Sequence, residues 1–336
     1  MAPAGWCGSM ADPSLSVVVV THLGGERLAC CLASLVAQQP APLELLVVVS
    51  QPGEVPVAAQ HGPQVLRPGR QLHYGEAVNL GAARARGELL LVLNDDTVAR
   101  PGFVGALCEA ARLHPDALLQ PRILLAGGEG MLDNVGHSLF FDGHNQPRGR
   151  ARRDGVEFEE PGAVGAVSGA AFLAPRERFV ELGGFDAELG PFGDDLDLSL
   201  RWVRAGGSLR YVPGAVIEHE LGASYGRVGM RKIFLVERNR VRAGMRSLPV
   251  AALVGAPAWT VLRWALMAGA AASGRGWGGQ LPAGAPLAAV AGVLAGAVYG
   301  PQAVRKRWRD SGGWKRGEKE MIEHVVGNRV RVRDFL

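Results

Sequence analysis

The chain has 336 residues, of which 20% are charged, and its formal net charge is +4. This length suits one large domain with an appendage, or two domains, and allows a sizeable core. Four cysteines without metal-ligand spacing, and no predicted signal peptide, are typical of a reduced cytoplasmic protein. Basic residues crowd into the C-terminal part without interleaved aromatic residues, which favours an anionic surface over nucleic acid as partner.

The first hundred residues alternate apolar strands with helical segments. Buried strands are predicted at Leu15–Thr21, 43–49 and 88–93, with a short strand at Gln64–Leu66. A helix follows the first strand and ends before Pro40, and another is predicted at 76–86. This βαβ rhythm predicts a mostly parallel sheet with helical crossovers.

The next segments continue the alternation less regularly. A helix is predicted at 101–113 and a strand at Ala117–Leu125, whereas 126–162 reads as a long loop. A loop of this length in a compact domain is usually functional, often as a lid or acceptor loop. Residues 163–175 are predicted to form a strand, a small-residue corner and a second strand.

Helical spacing of apolar residues predicts a helix at Asp194–Arg204. Two short strands, 209–212 and 215–219, are predicted on either side of Pro213 and Gly214. A basic helix follows at 228–246, and beyond it the sequence becomes rich in Ala, Gly, Pro and Trp.

The strand at 88–93 ends in the polar run Asn94-Asp95-Asp96-Thr97. Ligands of open α/β sheets bind beyond the carboxyl ends of the strands. Two carboxylates there can hold a hard cation, and the cation can hold a diphosphate. The alternative is that Asn and Asp simply make the turn after the strand, and the fragment alone does not separate the two.

A second acidic cluster, Asp194, Asp195 and Asp197, lies at a predicted helix start. Asp194 is a good N-cap, and acids in the first turn favour the helix dipole. That account leaves Asp195 without a structural task, so Asp195 is a candidate general base for an attacking hydroxyl. His219 is a candidate ligand for a Mn-like ion, although a lone histidine there is more often structural.

Two further signals are weaker. Asn79 is either a satisfied polar residue or a substrate contact. Ser168 and Gly169 form either a plain strand corner or a place where the backbone approaches a ligand. The chain has no G-x-G-x-x-G or Walker A sequence, which argues against classical NAD or ATP binding.

The order and spacing of these segments resemble a family 2 glycosyltransferase of the GT-A fold, in the rhamnosyltransferase-like branch. The resemblance covers residues 14–246. The matching stretches are 16–21, 79–84, 93–97, 167–170, 183–186, 193–198, 212–215 with His219, and the basic helix around 237–240.

The resemblance implies an α/β, Rossmann-like fold whose mostly parallel central sheet is flanked by helices. The change in composition after the basic helix predicts a catalytic domain at 14–228 and a basic, Ala/Gly-rich helical region at 229–336, and a disordered N-terminus is predicted at 1–13. The resemblance also implies an inverting enzyme that uses a nucleotide-diphosphate sugar and a divalent cation, Mn²⁺ or Mg²⁺. The expected acceptor is a hydroxyl of a cell-envelope glycan or glycolipid.

The resemblance also implies residue roles. Asp96 matches the metal-binding carboxylate, His219 completes the metal site in several relatives, and Asp195 matches the catalytic base. The implied donor-binding positions are Thr21, Ser50, Asn79, Asp95, Ser168 and Gly169. The implied acceptor-side positions are Asp194, Arg238 and Asn239. One departure is Ser50, which stands where the family usually has a nucleotide-binding Asp, so the choice of nucleotide is open.

Two other functions compete with this one. The first is a non-catalytic member that binds a nucleotide sugar weakly, motivated by Ser50. The second is a metal-dependent phosphatase, which would need a nucleophilic Asp where the chain has Asn94.

The C-terminal region is predicted to lie peripherally on the inner face of the plasma membrane as a pair of helices. Trp259, Trp264, Trp277 and Tyr299 suit the membrane interface, and basic runs bracket the segment. A helical appendage packed on the catalytic domain and a membrane-spanning hairpin are the alternatives. Gly, Ala and Pro outnumber Leu, Ile and Phe here, which disfavours a span.

Overall fold

The computed structural model describes residues 13–53, 62–220, 229–272 and 281–331. Most of the predicted N-terminal tail therefore lies outside the described residues, as does the segment just before the predicted boundary at 228.

In chain order the elements of the N-terminal part are β1 (Leu15–Thr21), α1 (Gly25–Val36), β2 (Glu44–Val49), β3 (Gln64–Leu66), α2 (Tyr74–Arg84), β4 (Leu89–Asn94), β5 (Thr97–Ala99), α3 (Phe103–Leu113), β6 (Ala117–Leu125), β7 (Leu132–Asn134), β8 (His137–Leu139), β9 (Asn145–Pro147), β10 (Gly162–Ala163), β11 (Ala171–Pro175), α4 (Arg176–Glu181), α5 (Asp194–Arg204) and β12 (Ser208–His219).

Ten of these strands form one sheet. Its order is β10-β12-β6-β11-β4-β1-β2-β3, with β5 paired to β12 and β7 paired to β6. β1 is parallel to both β2 and β4, whereas β11 runs antiparallel between β4 and β6. The predicted α/β class and the parallel β1, β2 and β4 are confirmed. Because these three strands point the same way, the residues that follow them meet at one edge.

The central strands are buried on both faces, as their unbroken apolar sequences predict. Val18, Val48 and Val92 belong to the core on the side of α2, where Ala77 and Val78 are buried. The alternate residues of the same strands belong to the opposite core, beside α1 and α3. Burying one such side chain fully stabilises the fold by about 1.5–3 kcal/mol. The buried strands therefore hold their ends, which carry the polar residues, in place.

Two sequence predictions about the distal part of the sheet were wrong. Residues 208–219 form one strand, whose register against β6 shifts between Val212 and Val216. A bulge there accommodates Pro213, whose missing N–H would otherwise interrupt the ladder. Residues 126–162 are not a structureless loop, since they contain β7, β8, β9 and a 3-10 turn at Val156–Phe158. Their short strands lack the periodicity that sequence analysis relies on.

Five helices complete the described chain. They are α6 (Met230–Ser247), α7 (Val250–Ala272), α8 (Ala285–Val298), α9 (Gly300–Ser311) and α10 (Glu318–Gly327). α8 lies directly on α6, because a Cβ placed at Gly292 would come within 2.5 Å of the Phe234 carbonyl oxygen. α10 buries Met321 and Val325 in the same core as Leu139 of β8. α8 and α10 are therefore packed on the rest of the described chain.

Candidate active site

The ends of β1, β2 and β4 bring three predicted donor-binding residues together. The Thr21 hydroxyl donates a hydrogen bond to the Asp95 carboxylate, and it also accepts one from the Gly24 backbone at 2.9 Å. The buried Ser50 hydroxyl donates to the Thr21 carbonyl at 3.0 Å, with His22 Nδ1 3.3 Å away. Burial raises the pKa of Asp95, and the Thr21 hydrogen bond opposes that shift.

Asp96 faces His219 across the end of the sheet. β12 pairs with β5, and this pairing sets His219 opposite Thr97, next to Asp96. His219 Nε2 lies 3.2 Å from Asp96 Oδ1, and its Nδ1 lies 2.8 Å from Asp133 Oδ2. Burial alone would lower the pKa of His219, but the hydrogen bond to Asp133 and the Asp96 carboxylate together raise that pKa to about 9. The structure thus joins the two residues predicted to bind the cation.

This pair fits a divalent cation. Asp96 Oδ1 is buried and accepts no directed hydrogen bond from the described residues. A cation would take the place of the Nε2 proton, so that Nε2 and the Asp96 oxygen would both bind it while Nδ1 keeps its proton for Asp133. No cluster of three or more His, Cys, Asp or Glu metal ligands occurs within the described ranges. Two protein ligands suffice for a cation that takes its other ligands from a diphosphate and water.

The three acids of α5 have different environments. Gly193, at φ +76°, is the residue that caps the helix, so the prediction of Asp194 as N-cap was wrong. Asp194 is buried, and its burial, together with the neighbouring Asp195 charge, raises the pKa of its carboxyl to about 7. Asp197 is 1% exposed and is paired with Arg201 at 2.7 Å and Arg246 at 3.2 Å.

Asp195 is the acid of this cluster that is partly accessible to solvent, with 18% of its side chain exposed. Its Oδ1 accepts from the Leu196 backbone at 2.7 Å, and its Oδ2 faces the Gly169 N–H at 3.4 Å. His137 Nδ1 lies 4.0 Å from the same Oδ2. The helix start therefore holds Oδ1, and Oδ2 lies beside the Gly169 N–H and His137 in a partly exposed position.

The corner that contains Ser168 and Gly169 lies beside Asp195. Ser168 is buried, and its backbone N–H donates to Gln120 at 2.6 Å. The Gly169 carbonyl accepts a hydrogen bond from the Tyr74 hydroxyl. A Cβ at Gly169 would make only ordinary contacts of 3.7 Å with Asp195 and Tyr74. A direct donor contact by either residue stays a prediction.

Three other predicted site residues make contacts within the protein. The Asn79 amide bonds both the N–H and the carbonyl of Phe185, at 2.9 and 2.8 Å. Asn239 donates to the Phe192 carbonyl at 2.6 Å, and Arg238 donates to the Leu189 carbonyl at 2.7 Å. These bonds hold the turn that leads into α5. Roles for Asn79 in donor binding, and for Arg238 and Asn239 in acceptor binding, stay predictions.

Sequence analysis missed four residues of the site. Asp133 and His137 lie in the segment that was predicted to be a loop, and Arg150, which is paired with Asp133, lies there too. Tyr74 begins α2, and its pKa is raised well above the usual value by burial first and then by Asp194, Asp195, Asp96 and Asp95. The carboxylates of both acidic motifs therefore affect the pKa of Tyr74. Nothing in the local sequence signals these contacts, which join residues far apart in the chain.

Comparison with known proteins identifies the family to which the chain belongs. The glycosyltransferase like family 2 matches residues 13–245. An N-acetylglucosaminyl-diphospho-decaprenol L-rhamnosyltransferase of Mycobacterium tuberculosis is 30% identical over 247 residues, which cover 63% of this chain and 78% of the relative.

Two solved structures share the fold. GalNAc-T7 with UDP, GalNAc and Mn²⁺ matches with a TM-score of 0.56 and 16% identity, over 71% of this chain and 48% of that one. The chain thus spans about half the length of GalNAc-T7. The mannosyltransferase PcManGT of Pyrobaculum calidifontis, with GDP-Man and Mn²⁺, matches with a TM-score of 0.50 and 14% identity, over 87% and 88%.

The α/β sheet, with acidic motifs beyond the ends of its strands, has the GT-A fold of these two structures. The chain belongs to the glycosyltransferase like family 2. The predicted resemblance is confirmed, and the protein is a glycosyltransferase, which excludes the phosphatase alternative.

Proposed function

We propose that this protein moves a sugar from a nucleotide-diphosphate sugar to an acceptor hydroxyl with inversion at the anomeric carbon. The observation that carries the proposal is the open carboxylate of Asp195, at a helix start whose other two acids are buried. Any of the three acids could interact favourably with the helix dipole, so the dipole alone does not explain why Asp195 is the partly exposed one. A partly exposed carboxylate oxygen held beside the Gly169 backbone N–H is suited to act as a general base.

In this proposal Asp195 removes the proton from the acceptor hydroxyl as its oxygen attacks the anomeric carbon. The bond from that carbon to the diphosphate oxygen breaks in the same step, and a single displacement inverts the centre. Asp96 and His219 would hold a divalent cation, which neutralises the departing diphosphate when bound. Thr21 keeps Asp95 in place at the donor side through its hydroxyl.

The donor is proposed from the relatives. GalNAc-T7 was solved with UDP and PcManGT with GDP-Man, both with Mn²⁺. The mycobacterial relative is named as an L-rhamnosyltransferase, so a deoxyhexose such as rhamnose is the first sugar to test. Ser50 carries no charge where the family usually has Asp, and its hydroxyl already donates to Thr21. A screen of nucleotide sugars by thermal shift, with and without Mn²⁺, would identify the donor.

The acceptor is proposed to be a glycan or glycolipid of the cell envelope, as the decaprenol-linked substrate of the mycobacterial relative suggests. By length and composition, one helix in the described part of the chain, Val250–Ala270, is able to cross a membrane. α8 and α9 would together form a second span bent by 53°. The arrangement of α7 supports surface attachment instead. Its Arg263 is 1% exposed and pairs with Asp142 of the catalytic region.

The apolar residues of α8 and α9 support this attachment further. Leu287, Leu294 and Val298 form an exposed stripe along α8, and Trp308 of α9 is 77% exposed between Arg305 and Arg309. Such a stripe with basic flanks suits an anionic membrane surface. Of the predicted interfacial aromatic residues, Trp277 lies outside the described residues.

The other three predicted aromatic residues are partly engaged within the protein. Trp264 donates to Glu237 at 3.3 Å, the Trp259 ring packs on Phe141 at 4.6 Å, and Tyr299 lies under the Arg242 guanidinium at 4.8 Å. The outward face of α8 and α9 is therefore the proposed membrane contact, at the cytoplasmic side of the plasma membrane.

Full-length protein is expected to co-sediment with liposomes that contain anionic lipid, and high salt or carbonate is expected to release much of it. Leu294→Glu should reduce this binding strongly, because Leu294 is 63% exposed in the middle of the stripe. Leu113→Glu is the matched control, since Leu113 is 70% exposed on α3. Equal loss in both variants, or wild-type protein that stays in the supernatant, would reject the membrane contact. Resistance to carbonate would favour a span.

Asp96→Ala is expected to abolish the Mn²⁺-dependent part of donor binding, because Asp96 supplies the charged ligand of the proposed cation site. His219→Ala should weaken it less, since a neutral ligand is lost. Calorimetry with the donor found by thermal shift, with Mn²⁺ or with a chelator, is the measurement. Asp116→Ala is the control, because this exposed acid pairs only at the surface with Arg178. Equal donor affinity in excess chelator would count against a metal role.

A glycosyltransferase of altered nucleotide specificity is the second candidate, motivated by Ser50. Donor turnover measured with several nucleotide sugars, with and without acceptor, separates the two. Turnover confined to a nucleotide other than that of the structural relatives would favour the altered specificity.

A further inference from the structure

The segment between β6 and β10 reaches the proposed cation site through one buried carboxylate. Asp133 of β7 is almost fully buried, and its two oxygens have different partners. One oxygen lies 2.8 Å from His219 Nδ1, and the other is paired with the Arg150 guanidinium.

This arrangement fixes the direction of the imidazole. Nδ1 is committed to Asp133, so Nε2 is the nitrogen that points at Asp96 Oδ1, 3.2 Å away. An imidazole that binds a cation usually donates its other N–H to a carboxylate or carbonyl, which sets the ring orientation and increases the basicity of the ligand. The Asp133–His219–Asp96 geometry matches that pattern.

The backbone around Asp133 is specific enough to hold this position. β7 pairs antiparallel with β6, with Asn134 opposite Ile123. Gly136 follows at φ +88°, where a Cβ would lie 2.6 Å from Val164. The turn at Gly136 leads directly into β8 and His137. A hydrogen-bonded strand and a sterically restricted turn therefore hold the carboxylate beside His219.

We propose that Asp133, supported by Arg150, is a positioning residue for His219 at the cation site. This inference rests on the proposed function, because it assumes that Asp96 and His219 bind a divalent cation. It assigns residues 126–162 a structural part in the active site instead of the expected role as a lid or acceptor loop. Asp133 touches neither donor nor acceptor in this proposal and acts only through the histidine.

The test uses full-length protein and Mn²⁺ alone, with binding followed by water-proton relaxation. Asp133→Asn is expected to raise the apparent dissociation constant for Mn²⁺ by about 10–100-fold, the usual effect of losing a partner of a metal-bound histidine. Asp154→Asn is the matched control. It removes an Asp–Arg pair of the same segment, to Arg122 at 2.7 Å, and should leave Mn²⁺ affinity unchanged.

The outcomes separate this inference from the proposed function. Mn²⁺ binding that survives Asp96→Ala would overturn the cation site itself. Binding lost in Asp96→Ala but unchanged in Asp133→Asn would overturn only the positioning role. If Asp133→Asn fails to fold, as judged by circular dichroism, Asp133→Glu replaces it. The glutamate keeps a charge for Arg150 but displaces the oxygen from Nδ1, so wild-type Mn²⁺ affinity in that variant would equally reject the proposal.

Discussion

Asp195→Asn is expected to reduce sugar transfer by about 10²–10⁴-fold, the usual contribution of a positioned general base. The amide has nearly the same shape as the carboxylate but cannot accept the acceptor proton. Its oxygen can still accept from the Leu196 backbone, which now donates to Asp195 at 2.7 Å. The start of α5 should therefore remain folded, and the loss should appear in kcat.

Donor affinity in the Asp195→Asn variant should stay close to that of the native protein, because the proposed donor contacts lie at the ends of β1, β2 and β4. Calorimetry with donor and Mn²⁺, beside steady-state kinetics, measures both quantities. Asp116→Asn serves as the control for removing one acid, since Asp116 pairs with Arg178 beside the C-terminal end of α5, at the other end of the helix from Asp195. Near-normal turnover in Asp195→Asn would eliminate Asp195 as the base. A parallel loss of stability and turnover would return it to the role of a helix-start acid.

The sequence was sufficient to predict which polar residues meet at the ends of β1, β2 and β4. Unbroken apolar runs predicted β1, β2 and β4, and the parallel register then aligned Val20 with Asn94 and Thr21 with Val49. The residues that follow those strands had to meet at one edge of the sheet. Helical spacing in Asp194–Arg204 placed Asp195 at a helix start in the same way. These inferences succeed because they depend on local pattern and on strand direction.

Contacts between distant segments could not be found in this way. Asp133 meets His219 across 86 residues of sequence, and nothing near either residue indicates the pairing. The three-residue strands β7, β8 and β9 are too short to show an alternation of apolar and polar residues, so the sequence predicts a loop for their segment. Asp194 was assigned the cap by residue preference, but the positive φ of Gly193 turns the chain into α5 and pushes Asp194 inside.

The second large effect concerns the buried charges that join α7 to the catalytic region. Asp142 accepts from Arg263 at 2.9 Å and from Thr260 at 2.8 Å. Glu237 accepts from Arg240 and from Arg263, both at 2.9 Å. All four charged side chains are almost fully buried. Two acids and two arginines balance one another there, so each arginine is needed to keep the cluster neutral.

Arg263→Met is expected to lower the free energy of unfolding by about 3–5 kcal/mol, because it leaves one arginine to compensate two buried acids. Denaturant unfolding of the full-length protein is the measurement. Arg100→Met, which breaks an exposed pair with Glu218 at 2.9 Å, should cost less than about 1 kcal/mol. Adding Asp142→Asn to Arg263→Met removes the uncompensated charge and should recover part of the loss. Equal stability of Arg263→Met and the native protein would mean that α7 is not docked through this cluster, and a membrane-spanning position for α7 would then become the better account.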